Sequence, residues 1–358
     1  MGFLIDGFNQ LQTWLLILLS PLNITEPVLQ FMLVSAILGL SIYLTLYTGM
    51  FSLANGGFMA IGAYVSVLLT QQAGWSLSLS ILTGMIVAGI IAVPIGLPVL
   101  RLRDIYLAIA TIGFGEVVRI MALNFDDLVE SFIKWMVQKE ILFDSLISRA
   151  ETSDMLDITI RDNGNVRVNF ELLGGARGIK GIPVMAETWM LVLFLIIVIY
   201  FIIRLHRSRL GRAMAAIRQD EQAASNMGID VVYVKNVVFV LSAMIAAAAG
   251  GLSGHLTRII DPSNYGFDLV VDILAYAVLG GTQTWAGPVI GAMVLRALPE
   301  TLRGFSELRG LINGLILLGA IVYLPSGLVD IKGFRGLVAY FRNNRTQRKE
   351  MVKDNANT

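Results

Sequence analysis

The sequence predicts an all-α polytopic membrane protein, a bundle of about nine or ten transmembrane helices with Gly-interrupted spans and a small external insertion of helix and β-hairpin. Three observations predict it. Only 15% of the residues are charged and 56% are hydrophobic, where a soluble domain carries about 25% charge, so most of the surface faces something other than water. Apolar runs near the roughly 20 residues that a spanning helix needs recur along the chain. Lys and Arg, finally, concentrate in a few connections between those runs.

The spans fall at 28–47, 51–70, 76–100, 105–123, 188–205, 232–252, a Gly-interrupted pair at 268–284 and 286–300, and 310–325. The stretch 8–22 is either a further span or an interfacial or re-entrant helix, and its length is compatible with each. No basic residue precedes Arg101, so 11–22 lacks the positive flank of a cleaved signal peptide.

Cytoplasmic connections carry the excess of Lys and Arg. The basic connections are 101–104 (RLRD), the run from Arg204 through Arg207, Arg209, Arg212 and Arg218 to Lys235, and the tail with Arg335, Arg342, Arg345, Arg348 and Lys349. Alternate counting of the spans places all three on one side, the cytoplasmic one, and 124–187 outside. The tail 341–358 is polar and basic at first, which suits a disordered cytoplasmic end touching anionic lipid. The chain thus divides into N-terminal spans (1–123), an external insertion (124–187), C-terminal spans (188–330) holding a cytoplasmic segment at 206–230, and a basic tail (331–358).

Within the insertion, 124–150 has apolar residues at helical spacing and reads as one or two amphipathic helices on the outer surface. Residues 157–173 alternate apolar and polar about Asn163-Gly164, the pattern of a β-hairpin. A docking surface for an external partner and a local elaboration without a binding role are both open readings of this region.

Composition excludes several functions. A net charge of +1 gives no nucleic-acid footprint. Zero cysteines exclude disulfides and thiolate metal sites. His206 and His255, the only histidines, lie far apart and read as satisfied or interfacial side chains. No catalytic or metal-ligand constellation is expected.

One mixed-charge island interrupts this apolar chain, GRAMAAIRQDEQAASNMGID at 211–230. Its alanines favour helix, and Gly211 and Gly228 mark limits, so one or two short helices on the cytoplasmic face are expected. A solvated loop obeying the positive-inside rule is the other reading. The string SRLGRAMAAIRQDEQAASNMGI (208–229) resembles the cytoplasmic signature of the branched-chain amino-acid ABC transporter permeases, in particular the LivM-like half. The same resemblance runs in order through YTGMFSLANGGFMAIGAYVSVLLT (47–70), RLRDIYLAIATIGFGEVVRI (101–120), GGARGIKGIP (174–183), YAVLGGTQTWAGPVIGAMVL (276–295) and LPSGLVD (324–330). Against the family pattern, 124–173 is long and Asn55 stands where a His or similar residue often occurs.

The resemblance implies a permease subunit of an importer for branched-chain or other neutral amino acids in the inner membrane. Its partners would be a second, LivH-like permease, two cytoplasmic ATPases and an external solute-binding protein. In that family the 208–229 segment contains the coupling helix that docks on the ATPase. Gly211, Arg212, Ala216, Ile217, Arg218, Asp220, Glu221, Met227 and Gly228 are therefore the candidates for coupling. The chain has no GxxxxGK[ST] phosphate loop, so it binds no cofactor itself, and ATP and Mg belong to partner subunits. Related permeases carry urea, short amides or sugars.

Interrupted spans expose backbone polar groups and are tolerated where they line a cavity. Two such interruptions, Asn55-Gly56-Gly57 and GGTQTWAGP (280–288), place a solute route near Asn55, Gly56, Thr111, Tyr276, Gly280, Gly281 and Thr282. Glu116 and Arg119, one helical turn apart, form a pairable charge couple inside a span. An ion-coupled secondary transporter is the rival class, with Glu116 as its one clear acidic candidate.

Overall fold

The computed structural model describes residues 25–102, 104–138, 156–160, 166–170, 172–301, 314–315, 318 and 328. The segment 8–22, the stretch 139–150, the Asn163-Gly164 turn, most of 310–325 and the tail lie outside the described residues. In chain order the elements are α1 (Glu26–Tyr47), α2 (Asn55–Gln72), α3 (Leu77–Val99), α4 (Asp104–Gln138), β1 (Leu156–Ile160), β2 (Val166–Phe170), a 3-10 turn (Gly175–Arg177) and β3 (Ile179–Lys180). There follow α5 (Thr188–Arg207), α6 (Arg209–Gln219), α7 (Glu221–Asn226), α8 (Val231–Gly254), β4 (Ile259–Ile260), a second 3-10 turn (Pro262–Tyr265), α9 (Phe267–Gly280) and α10 (Ala286–Thr301). Among the described residues five stretches are long and apolar enough to cross a membrane, namely α1, α3, Ile105–Ile133 of α4, α5 and α8. The protein is an all-α polytopic membrane protein.

Packing divides the chain into two units, each discontinuous in sequence. One takes in α1, α5, α6, α7, most of α9, and α10. The other takes in α2, α3, α4, β1 to β4, α8 and the first turn of α9.

In the first unit α1 and α5 run parallel. Where they start, the Thr188 hydroxyl donates to Glu26 Oε1 at 2.9 Å and accepts from Gln30 Nε2 at 3.0 Å. Where they end, the Tyr47 ring stacks on His206 with centroids 4.3 Å apart. Helix α10 runs the other way along α1, with Pro288 against Gly39 and the Arg296 guanidinium 5.1 Å from the Phe31 ring centroid.

In the second unit α8 is the spine against which α2 and α3 pack. Helices α2 and α8 run parallel, from the pair Asn55 and Ser242 to the pair Thr70 and His255. Ala243, Ala246, Ala247, Gly250, Gly251 and Gly254 give α8 a buried stripe of small side chains. A Cβ added to Gly62 would overlap the Ala247 backbone, and one on Gly250 would overlap the Met59 carbonyl. Gly84 of α3 faces Gly62 from the other side. Lipid gives no hydrophobic drive to helix association, so this close approach, with its dispersion contacts, holds the unit together.

Among the described residues three long helices lie between the members of each parallel pair, α2 to α4 in the first and α3 to α5 in the second, the odd number that alternate crossing requires. Helix α4 departs from the sequence expectation. Instead of a span followed by separate amphipathic helices from 124 onward, one helix of 35 residues runs to Gln138, about 52 Å at 1.5 Å per residue and well beyond a hydrocarbon core of about 30 Å. The physical reason is that no Gly or Pro occurs between Glu116 and Gln138, so nothing ends the helix at the membrane surface.

Past that helix the chain forms the expected antiparallel hairpin, with Leu156 opposite Phe170 and Ile160 opposite Val166. The register centres on residue 163, where Asn163-Gly164 predicted the turn. Asp126, only 8% exposed, then anchors the returning chain. Its carboxylate accepts from the N–H groups of Leu172, Leu173 and Gly174 at 2.7 to 3.1 Å. Gly174 (φ +69°) and Gly178 (φ +63°) turn the strand that follows into β3, where Ile179 pairs with Ile260.

Candidate functional site

The island 211–230 folds as two short helices with different caps. Ser208 opens α6 by accepting from the Gly211 N–H at 3.2 Å, satisfying one of the donors that a helix start leaves orphaned. Gly211 has to be small, since a Cβ there would meet the carbonyls of Leu205 and His206. Asp220 sits in extended conformation between the helices, and its Oδ1 accepts from the N–H groups of Gln222 (2.8 Å) and Ala223 (2.9 Å) to open α7. Gly228, with φ +84°, ends the segment.

This gives α6 two faces. Gly211, Met214 and Ile217 are buried, while Arg209, Arg212 and Gln219 are exposed. Of the residues expected at an ATPase contact, Arg212, Asp220, Glu221 and Met227 face outward, Met227 being 84% exposed. Ala216 is half-buried. Ile217 and Gly211 are spent on internal packing. Arg218 is half-buried and turned inward, its guanidinium 5.5 Å from the Tyr47 ring centroid.

The first interruption lies in the second unit. The chain leaves α1 at Gly49 (φ +84°) and stays non-helical to Ala54, with Met50, Ser52, Leu53 and Ala54 all buried. Helix α2 therefore starts at Asn55 instead of being broken there. Asn55 Nδ2 donates to Ser242 Oγ at 3.0 Å, and Ser242 lies about 17 Å along α8 at 1.5 Å per residue, so α2 begins halfway up its neighbour. Thr111 holds the incoming segment, its Oγ1 accepting from the Leu53 N–H at 2.9 Å. Gly56 packs against Val270, and Gly57 against Gly115 of α4. Glu116, next along α4, accepts from Arg119 Nε at 2.9 and 3.0 Å and from its Nη2. Both side chains keep access to the surface, 24% for Arg119 and 40% for Glu116.

The second interruption lies in the first unit. Helices α9 and α10 meet at glycines, and a Cβ on Gly280, Gly287 or Gly291 would run into the backbone of the opposing helix. Gly281 (φ +91°) turns the chain out of α9. Tyr276 is buried, and its carbonyl lies against Gly291. The Thr282 carbonyl accepts from Arg218 Nη1 at 3.4 Å. Each interruption brings its own candidates together: Asn55, Gly56, Thr111 and Glu116 in one unit, Tyr276, Gly280, Gly281 and Thr282 in the other.

Among the described residues no three His, Asp or Glu side chains group to hold a metal ion. His255 is fully buried, with Nδ1 2.7 Å from the Gly251 carbonyl and Nε2 2.9 Å from Thr70 Oγ1. A carbonyl only accepts, so Nδ1 carries a proton. Burial holds this imidazole below its ordinary pKa.

Residues 24–323 match the family model described as the branched-chain amino acid transport system permease component. The chain belongs to this permease family. It is 33% identical to the high-affinity branched-chain amino acid transport system permease protein LivM of Escherichia coli over 82% of this chain and 67% of that protein. It is 32% identical to the LivM of Salmonella typhimurium over the same shares. The probable LivH permease of Methanocaldococcus jannaschii is 24% identical over 86% of this chain and 92% of its own. No solved structure matches.

Sequence reasoning missed four side chains that build this permease's sites: Tyr47, Ser242, Asp126 and the Thr70 partner of His255. Tyr43 and Tyr47, spaced i and i+4 at the end of an apolar run, were the one readable signal. The others act across more than 40 residues of sequence, and no local pattern marks them.

Proposed function

We propose that the chain is the LivM-like permease subunit of an ATP-driven importer that moves branched-chain or other neutral amino acids inward by alternating access. The observation that carries this reading is the two-faced α6–α7 segment inside the family-matched region, with charge outward and apolar packing inward. A short helix of this kind can be gripped by one protein and pull on another, because its inner face is already packed against the spans. The named activity of the LivM relatives supports the solute class.

In this reading ATP and Mg bind two cytoplasmic ATPases, since the sequence holds no phosphate loop. A LivH-like permease completes the membrane part, and an external solute-binding protein delivers solute to the side that bears the hairpin. The chain sits in the inner membrane with 101–104, 204–235 and the C-terminus cytoplasmic, which the basic connections support. The Asn55 interruption in one unit and the Gly280 interruption in the other are each candidates for the solute route.

The test is gentle-detergent purification of the chain from its host, mass spectrometry of what accompanies it, and uptake of labelled leucine, glycine and urea into vesicles holding the recovered complex. Two P-loop ATPases, a second permease and ATP-dependent leucine uptake are expected. Urea uptake in place of leucine would move the solute to short amides. A chain recovered alone that transports in ATP-free vesicles would overturn the reading in favour of an ion-coupled carrier.

A further inference from the structure

Three helices of the first unit bring an aromatic and cationic cluster together where α1 ends. Tyr43 and Tyr47 lie one turn apart on α1, with ring centroids 5.6 Å apart. His206, in the last turn of α5, stacks on Tyr47 and meets Tyr43 edge-on at 5.6 Å. Arg218 of α6 lies over Tyr47. Its own backbone fills the space beside Gly49, where a Cβ would come within 3.4 Å of the Arg218 Cα. From the same residue Nη1 reaches the Thr282 carbonyl.

Arg218 thus touches two places where a helix gives way to a glycine with positive φ, Gly49 after α1 and Gly281 after α9. We propose that Arg218 is the positioning residue that transmits displacement of α6 to these two helix ends. The proposal rests on the reading of α6–α7 as the segment gripped by the ATPases. A planar guanidinium can stack on a ring and donate to a carbonyl in a fixed fork, so it holds two groups in a set relation. A lysine ammonium at the end of a flexible stem keeps the charge and loses that relation. The Thr282 carbonyl accepts this bond because the chain has left α9 there, and the bond exists only while the turn at Gly281 keeps its shape. The exposed arginines on the same helix, Arg209 and Arg212, face away from this cluster.

The experiment compares the wild-type complex with Arg218→Ala, Arg218→Lys, Tyr47→Leu and Tyr47→Phe in vesicles, measuring solute moved per ATP hydrolysed beside ATPase recovery. Wild-type, Arg218→Ala and Arg218→Lys are expected to recover the same ATPases and hydrolyse ATP. The two Arg218 variants and Tyr47→Leu should lower the transport-to-hydrolysis ratio by about tenfold or more, within the range of allosteric couplings. Tyr47→Phe, which keeps the stacking ring, should keep the ratio. Loss of ATPase recovery in both Arg218 variants would make Arg218 a docking residue and overturn the proposal, as would an unchanged ratio. A wild-type chain that recruits no ATPase overturns the importer reading and the proposal with it.

Discussion

Asp220 shows what a single residue can do that its charge alone does not reveal. Read from sequence it is a surface carboxylate available to a partner, whereas in the fold its Oδ1 holds two N–H groups at the start of α7. Losing such a cap costs about 0.5–2 kcal/mol, so a charge reversal there would unwind the segment as well as remove a contact. Asp220→Asn keeps the capping oxygen and removes the charge. The expectation is that Asp220→Asn leaves the melting temperature of the purified protein near that of the wild type, while Asp220→Lys lowers it. Thermal melts of the two variants in detergent decide the matter. His255 makes a second prediction at this scale. Burial lowers the pKa of its imidazole in the fold, so the unfolded chain binds a proton more readily than the folded one, and stability contributed by this site is lost progressively as pH falls below about 6.5. Melting followed from pH 7.5 to pH 5 should show a decline that is shallower in His255→Gln, and equal slopes would count against it.

At the scale of elements, the hairpin and most spans were legible because each rests on a local pattern. Alternation about Asn163-Gly164 sets a register that the strands obey, and apolar runs at 28–47, 76–100, 188–205 and 232–252 became α1, α3, α5 and α8 within two residues or so at their ends. Helix α2 begins four residues later than its apolar run, because the buried irregular segment before Asn55 is fastened to Thr111 and not to a helical ladder. Hydropathy cannot distinguish a buried extended segment from a buried helical one. Helix α4 was misjudged for the opposite reason: polarity changed at Asn124 while backbone preference did not. The island's two short helices and their limits were readable, yet the inward turn of Arg218 depends on Tyr47, over 170 residues away. Packing between α2 and α8 makes the sharpest prediction for an element. Gly62→Leu has no room beside the Ala247 backbone and should cost more than the roughly 1–3 kcal/mol of ordinary overpacking, seen as loss of folded protein on size-exclusion chromatography. An outward substitution on α3, Ile90→Leu, serves as the control, since Ile90 is 66% exposed.

For the whole molecule the open question is what drives transport, and one ion pair decides between the two classes. Glu116 is bound by Arg119 through two of its nitrogens, so a coupling ion arriving at this carboxylate would have to displace a partner that already grips it at two points. Glu116→Gln is therefore expected to leave leucine uptake dependent on ATP and indifferent to a proton or sodium gradient, within a few-fold of the wild-type rate. Uptake in wild-type vesicles that follows an imposed ion gradient, and loses that dependence in Glu116→Gln, would contradict the ATP-driven reading. The chain's division into units also bears on how it is made. Gly62 and the Ala247 backbone it packs against are separated by about 185 residues, which take on the order of 10 to 40 s to synthesise at about 5–20 residues per second. During that interval α2 and α3 have been made while the helix that fills their small-residue seams has not. Until α8 arrives, other helices or the insertion machinery can occupy those seams, and substitutions that slow the arrival of α8 should lower yield without changing the finished protein.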